Sequence, residues 1–274
     1  MNDDVDDDLR TLLITGAAGR VGRAVTPYLR QHYRLRLLDM LPLEAEGLDE
    51  VLQGDLNDSE LVQRAVSGVH GVLHLACVHG FELTFEGGLD VNYRALLHVL
   101  QASAAAGVQR FVYTSSLHAV GQHELAGFPG DDAPLAPDAF YGLGKVFGEA
   151  ACALYTRRSA LRTLVIRVGN ADPTVGDARH LRLWTSARDL ANLRTIGLTH
   201  PQIQYDIVYG VSICPEPLFP NARAAELGYV PQDRALDHLD PAFQPYEAMT
   251  PGAGRDHVGG YYAVVPLPDV RLLA

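Results

Sequence analysis

Tyr141 and Lys145 stand four residues apart in Tyr141-Gly142-Leu143-Gly144-Lys145, and Ser116 lies 25 residues upstream at the end of an apolar run. On a helix, side chains at i and i+4 share one face, so the phenol and the ammonium would enter the same space. A free tyrosine has a pKa of about 10 and is a poor base near neutrality. A nearby cation favours its phenolate, and proton transfer works best with a group poised near the working pH. Ser116 could hold the same substrate oxygen against Tyr141. Alone, Tyr-x-x-x-Lys is more often a packed ring and a solvated lysine. Set beside Ser116 and a glycine-rich turn near the N-terminus, the three read as the proton-transfer half of a hydride-transfer site.

The glycine-rich turn is Thr15-Gly16-Ala17-Ala18-Gly19-Arg20-Val21-Gly22, and it follows the short apolar run Thr11-Leu12-Leu13-Ile14. A helical stretch from about Val21 to Gln31 comes next. Gly16 suits a tight turn, Gly19 a close approach of backbone to a pyrophosphate, and Gly22 a close helix–strand contact. The helix N-terminus offers N–H groups and a positive dipole end to phosphates. Asp39 ends a second strand-like run, 23 residues after Gly16. An acid there accepts from ribose hydroxyls and repels a 2′-phosphate, so the expected cofactor is NAD and not NADP. Arg20 and Arg36 are the residues that oppose this preference, since a guanidinium can accept a phosphate. Asp55, in Gly54-Asp55-Leu56, is read either as an adenine contact or as the cap of a helix beginning near Ser59.

These residues need a scaffold that brings strand ends together. Strand-like runs fall near 11–15, 34–39, 71–76, 109–115 and 162–168, and helical patterns near 20–31, 58–67, 88–106 and 140–158. The alternation predicts an α/β fold, a Rossmann-type doubly wound parallel sheet with helices on both faces. Gly16, Asp39, Ala76, Ser116 and Gly169 all lie at or just past predicted strand ends, where ligands of such sheets sit. The expected organisation is an acidic disordered tail over 1–9, a dinucleotide-binding core over 10–170, and a small loop-rich substrate lobe over 171–274. Residues 203–211 are expected to return to the sheet as a strand. Leu183 to Leu198 is expected to be helical, with Ser186 as a cap before Asp189. The many prolines after Pro215 point to irregular structure, with 240–260 either poorly ordered or wrapped over the surface.

Composition sets outer limits. Hydrophobic residues make up 47% of the 274, enough for a full core. The formal net charge is −11, but the first eight residues alone hold five aspartates. Without them 28 acids still face 22 bases, which disfavours nucleic acid and anionic membranes as partners. An acidic start is unlike a basic signal peptide, and the chain has no run of about 18 apolar residues. Cys77, Cys152 and Cys214 are too scattered for a disulfide framework or a metal site, so a reduced cytoplasmic setting is expected. The eleven histidines show no ligand spacing, and no metal is expected.

With these residues in hand, the chain resembles the extended short-chain dehydrogenases/reductases over nearly its whole length, and among them the bacterial uronate dehydrogenases. Superfamily features are the Ile14–Gly22 turn, Gly54-Asp55-Leu56, Ser115-Ser116-Leu117-His118-Ala119-Val120-Gly121, and Tyr141 to Glu149. More discriminating are Arg167-Val168-Gly169, Trp184-Thr185-Ser186-Ala187-Arg188-Asp189 and Leu227-Gly228-Tyr229-Val230-Pro231-Gln232-Asp233. The resemblance implies NAD-dependent oxidation of C1 of a pyranose uronic acid to a lactone. Tyr141 would take the anomeric proton, Lys145 would lower the Tyr141 pKa and hold the nicotinamide ribose, and Ser116 would orient the oxygen. Cofactor contacts are implied at Gly16, Gly19, Arg20, Val21, Gly22, Asp39, Asp55, Leu56, Leu75, Ala76, Cys77, Asn92, Tyr141 and Lys145. Substrate contacts are implied at His79, Ser116, Leu117, His118, Asn170 and Arg179. Arg179 stands where the family carries an arginine that grips the carboxylate, with Arg182 a near competitor.

Three positions depart from the family. Leu117 replaces an asparagine, while His79 and Asn170 each stand where a serine is usual. Other readings consistent with the chain are a dehydrogenase for a neutral aldose or another acidic sugar, a nucleotide-sugar epimerase or dehydratase, and a non-catalytic NAD-binding sensor. Leu117 offers no acid for elimination, and a sensor would have no need of the Tyr/Lys pair. The helices near 88–106 and 140–158 suggest a homo-oligomer, although the alanine run Ala102–Ala106 is equally explained by packing onto the sheet.

Overall fold

Alternation within each strand builds the layers. Along β1 (Thr11–Thr15), Leu12 and Ile14 turn to one face and Leu13 to the other. The same split recurs in β4 (Gly71–His74), with Val72 and Leu73, and in β5 (Arg110–Ser116), with Phe111 and Val112. A strand apolar on both faces must be covered on both, which is the condition of a parallel sheet between helix layers. In the computed structural model, which describes residues 9–252 and 254–268, seven parallel strands lie in the order β3-β2-β1-β4-β5-β6-β8. The remaining members are β2 (Arg34–Asp39), β3 (Glu50–Gln53), β6 (Arg162–Val168) and β8 (Tyr205–Gly210). The expected Rossmann-type sheet is therefore present. The acidic stretch Met1–Asp8 lies outside the described residues.

One face carries α1 (Arg20–Leu29) and α7 (Ala187–Thr199), whose Val25, Leu29, Leu190 and Leu193 close over Leu12, Leu35, Val112 and Leu164. The other face carries α2 (Ser59–Val66), α4 (Leu96–Ala105) and α5 (Phe140–Arg158), packed through Leu61, Val62, Val99 and Cys152. The stretch read as one helix over 88–106 is composite. It runs from α3 (Phe85–Gly88) through a π-helical segment, Leu89–Ala95, into α4. Such wide turns are frequent at functional sites, and this one carries Asn92. Asp58, and not Asp55, caps α2 by accepting from the N–H groups of Glu60 and Leu61.

After residue 170 the chain alternates between the carboxyl edge of the sheet and its layers. β7 (Val175–Asp177) and α6 (Ala178–Leu181) sit above the edge, and α7 and β8 then complete the sheet and its covering. Ser186 caps α7 as the sequence suggests, accepting from Asp189 N–H at 3.0 Å. The helix starts at Ala187 because Leu183 and Trp184 turn inward as loop residues, both buried. α8 (Ala222–Glu226) and β9 (Leu239–Gln244) follow, and β9 pairs with β7. Buried Asp189 joins the two later motifs, accepting from Gln232 and Asp233 N–H and from the Ser212 hydroxyl. No helix among the described residues is long and apolar enough to cross a membrane.

Helix α5 is fixed to the sheet by a buried ion pair. The Arg167 guanidinium on β6 donates from Nε and Nη2 to the two Glu149 oxygens at 2.9 and 2.8 Å. Ser115 Oγ on β5 donates to the same carboxylate at 2.6 Å, and the Tyr209 hydroxyl on β8 accepts from Arg167 at 2.8 Å. Removing one partner leaves the other charge buried and uncompensated. Glu149→Ala is therefore expected to cost about 3–5 kcal/mol of unfolding free energy. Urea denaturation measures it, and a loss under about 1 kcal/mol, the value of an exposed pair, would refute the clamp.

Candidate active site

Tyr141, Lys145 and Glu149 form one stripe of α5, each four residues from the next, and that stripe lies along the end of β5. Lys145 Nζ donates to Thr114 O at 2.8 Å. Its charge stands 5.4 Å from the ring centroids of Tyr113 and Tyr141 alike. Gly148 leaves room for Tyr113, whose hydroxyl occupies the space a side chain there would need. Ser116 ends β5, accepts from His118 N–H at 3.3 Å and faces the Tyr141 phenol. Burial foremost, and then Cys77, push the Tyr141 phenol above its ordinary value, while the Ser116 hydroxyl pulls it down. Lys145 is buried beside the phenol and committed to a backbone carbonyl, so the ring meets its charge at a distance.

The glycine turn forms the neighbouring wall. Gly16 has φ +72°, and a Cβ there would come within 2.7 Å of Ala76 Cα on the loop after β4. At Gly22 a Cβ would come within 2.7 Å of Gly16 O. Gly19 opens α1 as its N-terminal boundary, without a capping side chain. Asp39 accepts from Ala18 N–H and from Leu41 N–H, both at 2.9 Å, which fixes its carboxylate at the end of β2. Arg36 does not enter the cleft. Its guanidinium binds Glu50 and the carbonyls of Arg64, Ala65 and Ser67. Arg20 pairs with Asp172 across the cleft.

These walls enclose one continuous cavity of about 740 Å³. It is lined by every residue singled out for the cofactor or the substrate except Asn92. Asn92 stands behind the wall. Its Nδ2 donates to Val78 O and its Oδ1 accepts from Val78 N–H, both at 2.9 Å. It therefore shapes the loop that carries Cys77 and His79 and is not a lining contact. Asp55 lines the cavity while holding Asn57 through its N–H and Nδ2. The cradle fits a dinucleotide: the close Gly16–Ala76 approach and the α1 N-terminus suit a diphosphate, and the fixed Asp39 carboxylate suits ribose hydroxyls.

At the substrate end, Arg179 lines the cavity and Arg182 does not. Arg182 donates instead to Glu216 O. Arg179 is half-buried, and removal from water lowers its pKa; its guanidinium is held at two points. Nη1 donates to Val258 O at 2.8 Å, and Nη2 lies 2.7 Å from His180 Nε2. Burial and the Arg179 charge push the His180 pKa down to about 4. A neutral His180 whose Nδ1 faces Asp177 at 3.2 Å can accept from Arg179 through Nε2. Leu117 is buried in an apolar cluster with Leu183, Phe219 and Val258. His79 stands edge-on to Tyr141 at 6.0 Å between centroids, and burial above all lowers its pKa. Asn170 binds the Asp172 carboxylate at 2.8 Å.

Sequence spacing gave no sign of several lining residues. Tyr261, Tyr262 and Gly259 arrive from the far C-terminal segment, Asp172 from the loop after β6 and His180 from α6. The segment around 254–262 is held by Leu125 N–H on Asp256 O, Val258 N–H on His123 O and Gly259 N–H on Gly121 O. The only local signal was Gly259-Gly260-Tyr261-Tyr262, a close-packing pair before two rings. For 240–260 the sequence leaves poor order and surface wrapping open; the described residues from 254 on turn inward.

A model of the NAD dependent epimerase/dehydratase family matches residues 12–172. Uronate dehydrogenase of Pseudomonas putida is 36% identical over 239 residues, covering 84% of this chain and 89% of that one. An NAD-dependent glucose-6-phosphate dehydrogenase of Haloferax volcanii is 31% identical, covering 82% and 94%. The crystal structure of a mutant uronate dehydrogenase from Agrobacterium tumefaciens, complexed with NAD, superposes with a TM-score of 0.86 at 30% identity, covering 94% of this chain and 98% of that one.

Gly16 generates a direct test of the cradle. Gly16→Ala forces a side chain into a left-handed conformation and against Ala76, an expense of about 1–3 kcal/mol. A lower melting temperature and weaker NADH binding by fluorescence are expected. Unchanged NADH affinity would show that the turn does not form the binding surface.

Proposed function

The chain belongs to the NAD-dependent epimerase/dehydratase family, and from that premise we propose that it oxidises the C1 hydroxyl of a cyclic hexuronic acid to a lactone with NAD. The expected kinship with extended short-chain dehydrogenases/reductases and with uronate dehydrogenases is met by the relatives and the structural neighbours. The observation that carries the reading is the meeting of Tyr141, Lys145, Ser116 and Arg179 in one cavity with the Gly16–Gly22 cradle.

Gly16, Gly19 and the first turn of α1 would hold the diphosphate, and Asp39 the adenosine ribose. Bound NAD supplies the hydride acceptor and a cationic ring. Ser116 holds the C1 oxygen beside Tyr141. The Tyr141 oxygen takes the hydroxyl proton as the C1 hydrogen leaves with its electron pair, and the C1–O bond becomes the lactone carbonyl. A positive charge close to the phenol is required to reverse the upward push of burial. Lys145 contributes part of that charge and anchors its own position through Thr114 O. Arg179 grips the uronate carboxylate, and its two existing contacts use one N–H on each terminal nitrogen, leaving others for a charge-assisted pair. Leu117 covers part of the pocket with apolar surface, which leaves the choice among hexuronic acids to His79, His118 and Asn170. Three unpaired thiols fit a reducing, cytoplasmic compartment. Leu143 and Leu154, exposed on α5, fit a homo-oligomer contact.

Initial rates of NADH formation with a panel of uronates and neutral aldoses test the assignment. Turnover of uronates is expected, and turnover of neutral aldoses alone would sink it. Tyr141→Phe is expected to lower kcat by about 10²–10⁴-fold, and retention of most of the wild-type rate would remove Tyr141 from proton transfer. For Arg179→Ala, a loss of roughly 10- to 100-fold in kcat/KM is expected with a uronate, and little change with a neutral aldose. Equal losses on both would refute the carboxylate grip.

A further inference from the structure

The substrate end of the cavity is backed by a carboxylate that the reaction above leaves without a role. Asp138 precedes α5, and its side chain is fully buried. Oδ2 lies 2.6 Å from His118 Nδ1, and Oδ1 has no hydrogen-bond partner among the described residues. Three glycines from three separate segments close around it. A Cβ on Gly121, just past the turn Leu117–Val120, would overlap Oδ2, and so would one on Gly259 of the C-terminal segment. A Cβ on Gly142, in the first turn of α5, would come within 2.9 Å of Oδ1. Gly259 N–H also donates to Gly121 O at 2.8 Å, so two walls of this seat are tied together. The carboxylate thus excludes a side chain at Gly121 and Gly259, while at Gly142 a Cβ would meet His118 O first and Oδ1 next.

His118 is in turn placed at the reaction. It lines the cavity, its ring stands edge-on to Tyr141 at 5.4 Å between centroids, and it lies against Tyr262 at 4.3 Å. An ionised carboxylate only accepts hydrogen bonds. The partner of one ring nitrogen decides where a neutral imidazole carries its proton, and therefore what the other nitrogen can do.

We propose that Asp138 is a positioning residue that pins a His118 proton on Nδ1, so that Nε2 is turned as an acceptor to a substrate hydroxyl beside Tyr141. The proposal rests on the sugar-oxidation reading above and adds a requirement to it: the substrate brings an O–H donor, as well as a carboxylate, to this end of the cavity. Leu117 sharpens the point, because the position next to Ser116 offers no polar group. A substrate lacking that hydroxyl would leave a buried acceptor unpaired, the kind of mismatch that discriminates strongly.

The test uses the full chain labelled with ¹⁵N-histidine, with long-range ¹H–¹⁵N spectra recorded at about pH 9, where an ordinary imidazole is neutral. Loss of one signal set in His118→Gln identifies His118 among the eleven histidines. An Nδ1-protonated His118 is expected in the wild-type protein, and an Nε2-protonated one overturns the proposal without any variant having to fold. Asp138→Asn is expected to weaken that preference and to lower kcat/KM for glucuronate by roughly 10- to 100-fold, with KM for NAD unchanged. In the His118→Gln background the same substitution should cost less than about twofold, because the two residues act as a unit. A full-sized loss in that background would make Asp138 a packing residue only and overturn the proposal. An Nδ1-protonated His118 in a protein that turns over no uronate would support the pairing while refuting the substrate reading, so the two failures are distinguishable.

Discussion

The seat of helix α5 on strand β5 is the constraint on which the chemistry depends. Tyr141, Lys145 and Glu149 repeat at intervals of four, and each meets the carboxyl end of β5: Ser116 by Tyr141, Thr114 O by Lys145, Ser115 by Glu149. The Glu149–Arg167 pair sets this register from below. A buried ion pair is a weak source of net stability, because desolvation offsets much of its Coulombic gain. Its directional bonds make a shifted helix expensive, however, and a shift of one residue would turn Tyr141 away from Ser116. Two turns of rigid helix thus carry positional accuracy from a dry core to the reacting end.

The cleft itself follows from parallel strands. All seven carboxyl ends lie on one edge, and β1 and β4 are neighbours there although α1, β2, β3 and α2 intervene in sequence. The loops that leave them must diverge, and they open the crevice in which ligands of such sheets lie. Close approaches then shape it. Gly16 meets Ala76, Gly169 meets Leu183, and Gly148 meets Tyr113, each contact closing a gap that a side chain would prop open. Asn92 adds a different kind of control, holding the Val78 peptide by both its donor and its acceptor.

The substrate end is built by return of the chain. The segment around 254–262 comes back to Arg179 of α6 through Val258 O, while the neighbouring His180 of the same helix holds the guanidinium from the other side. Gly260 packs against the guanidinium, where a Cβ would lie 2.8 Å from Cζ. Cation, imidazoles and tyrosine rings are fixed by second contacts before any ligand arrives. Such preorganisation reduces the ordering entropy that binding would otherwise cost.

The sequence by itself determined most of the sheet, its principal helices and most of the cavity wall. Apolar alternation, glycines at fixed offsets and an acid at the end of β2 act over short distances, where spacing translates directly into geometry. Tyr141, Lys145 and Ser116 were legible for the same reason, as strand end and helix face are each set by local periodicity. Only the tertiary structure decided which element closes the far end. Tyr262, His180, Asp172 and Asp138 acquire meaning from neighbours distant in sequence, and no period links residue 262 to residue 118. It also separated residues that look alike on paper: Arg179 enters the cavity while Arg182 binds Glu216 O, Asp58 caps α2 while Asp55 faces the cleft, and Asn92 supports the wall without lining it. These are choices between near neighbours along the chain, and they are made by packing and hydrogen-bond geometry, which a linear pattern does not encode.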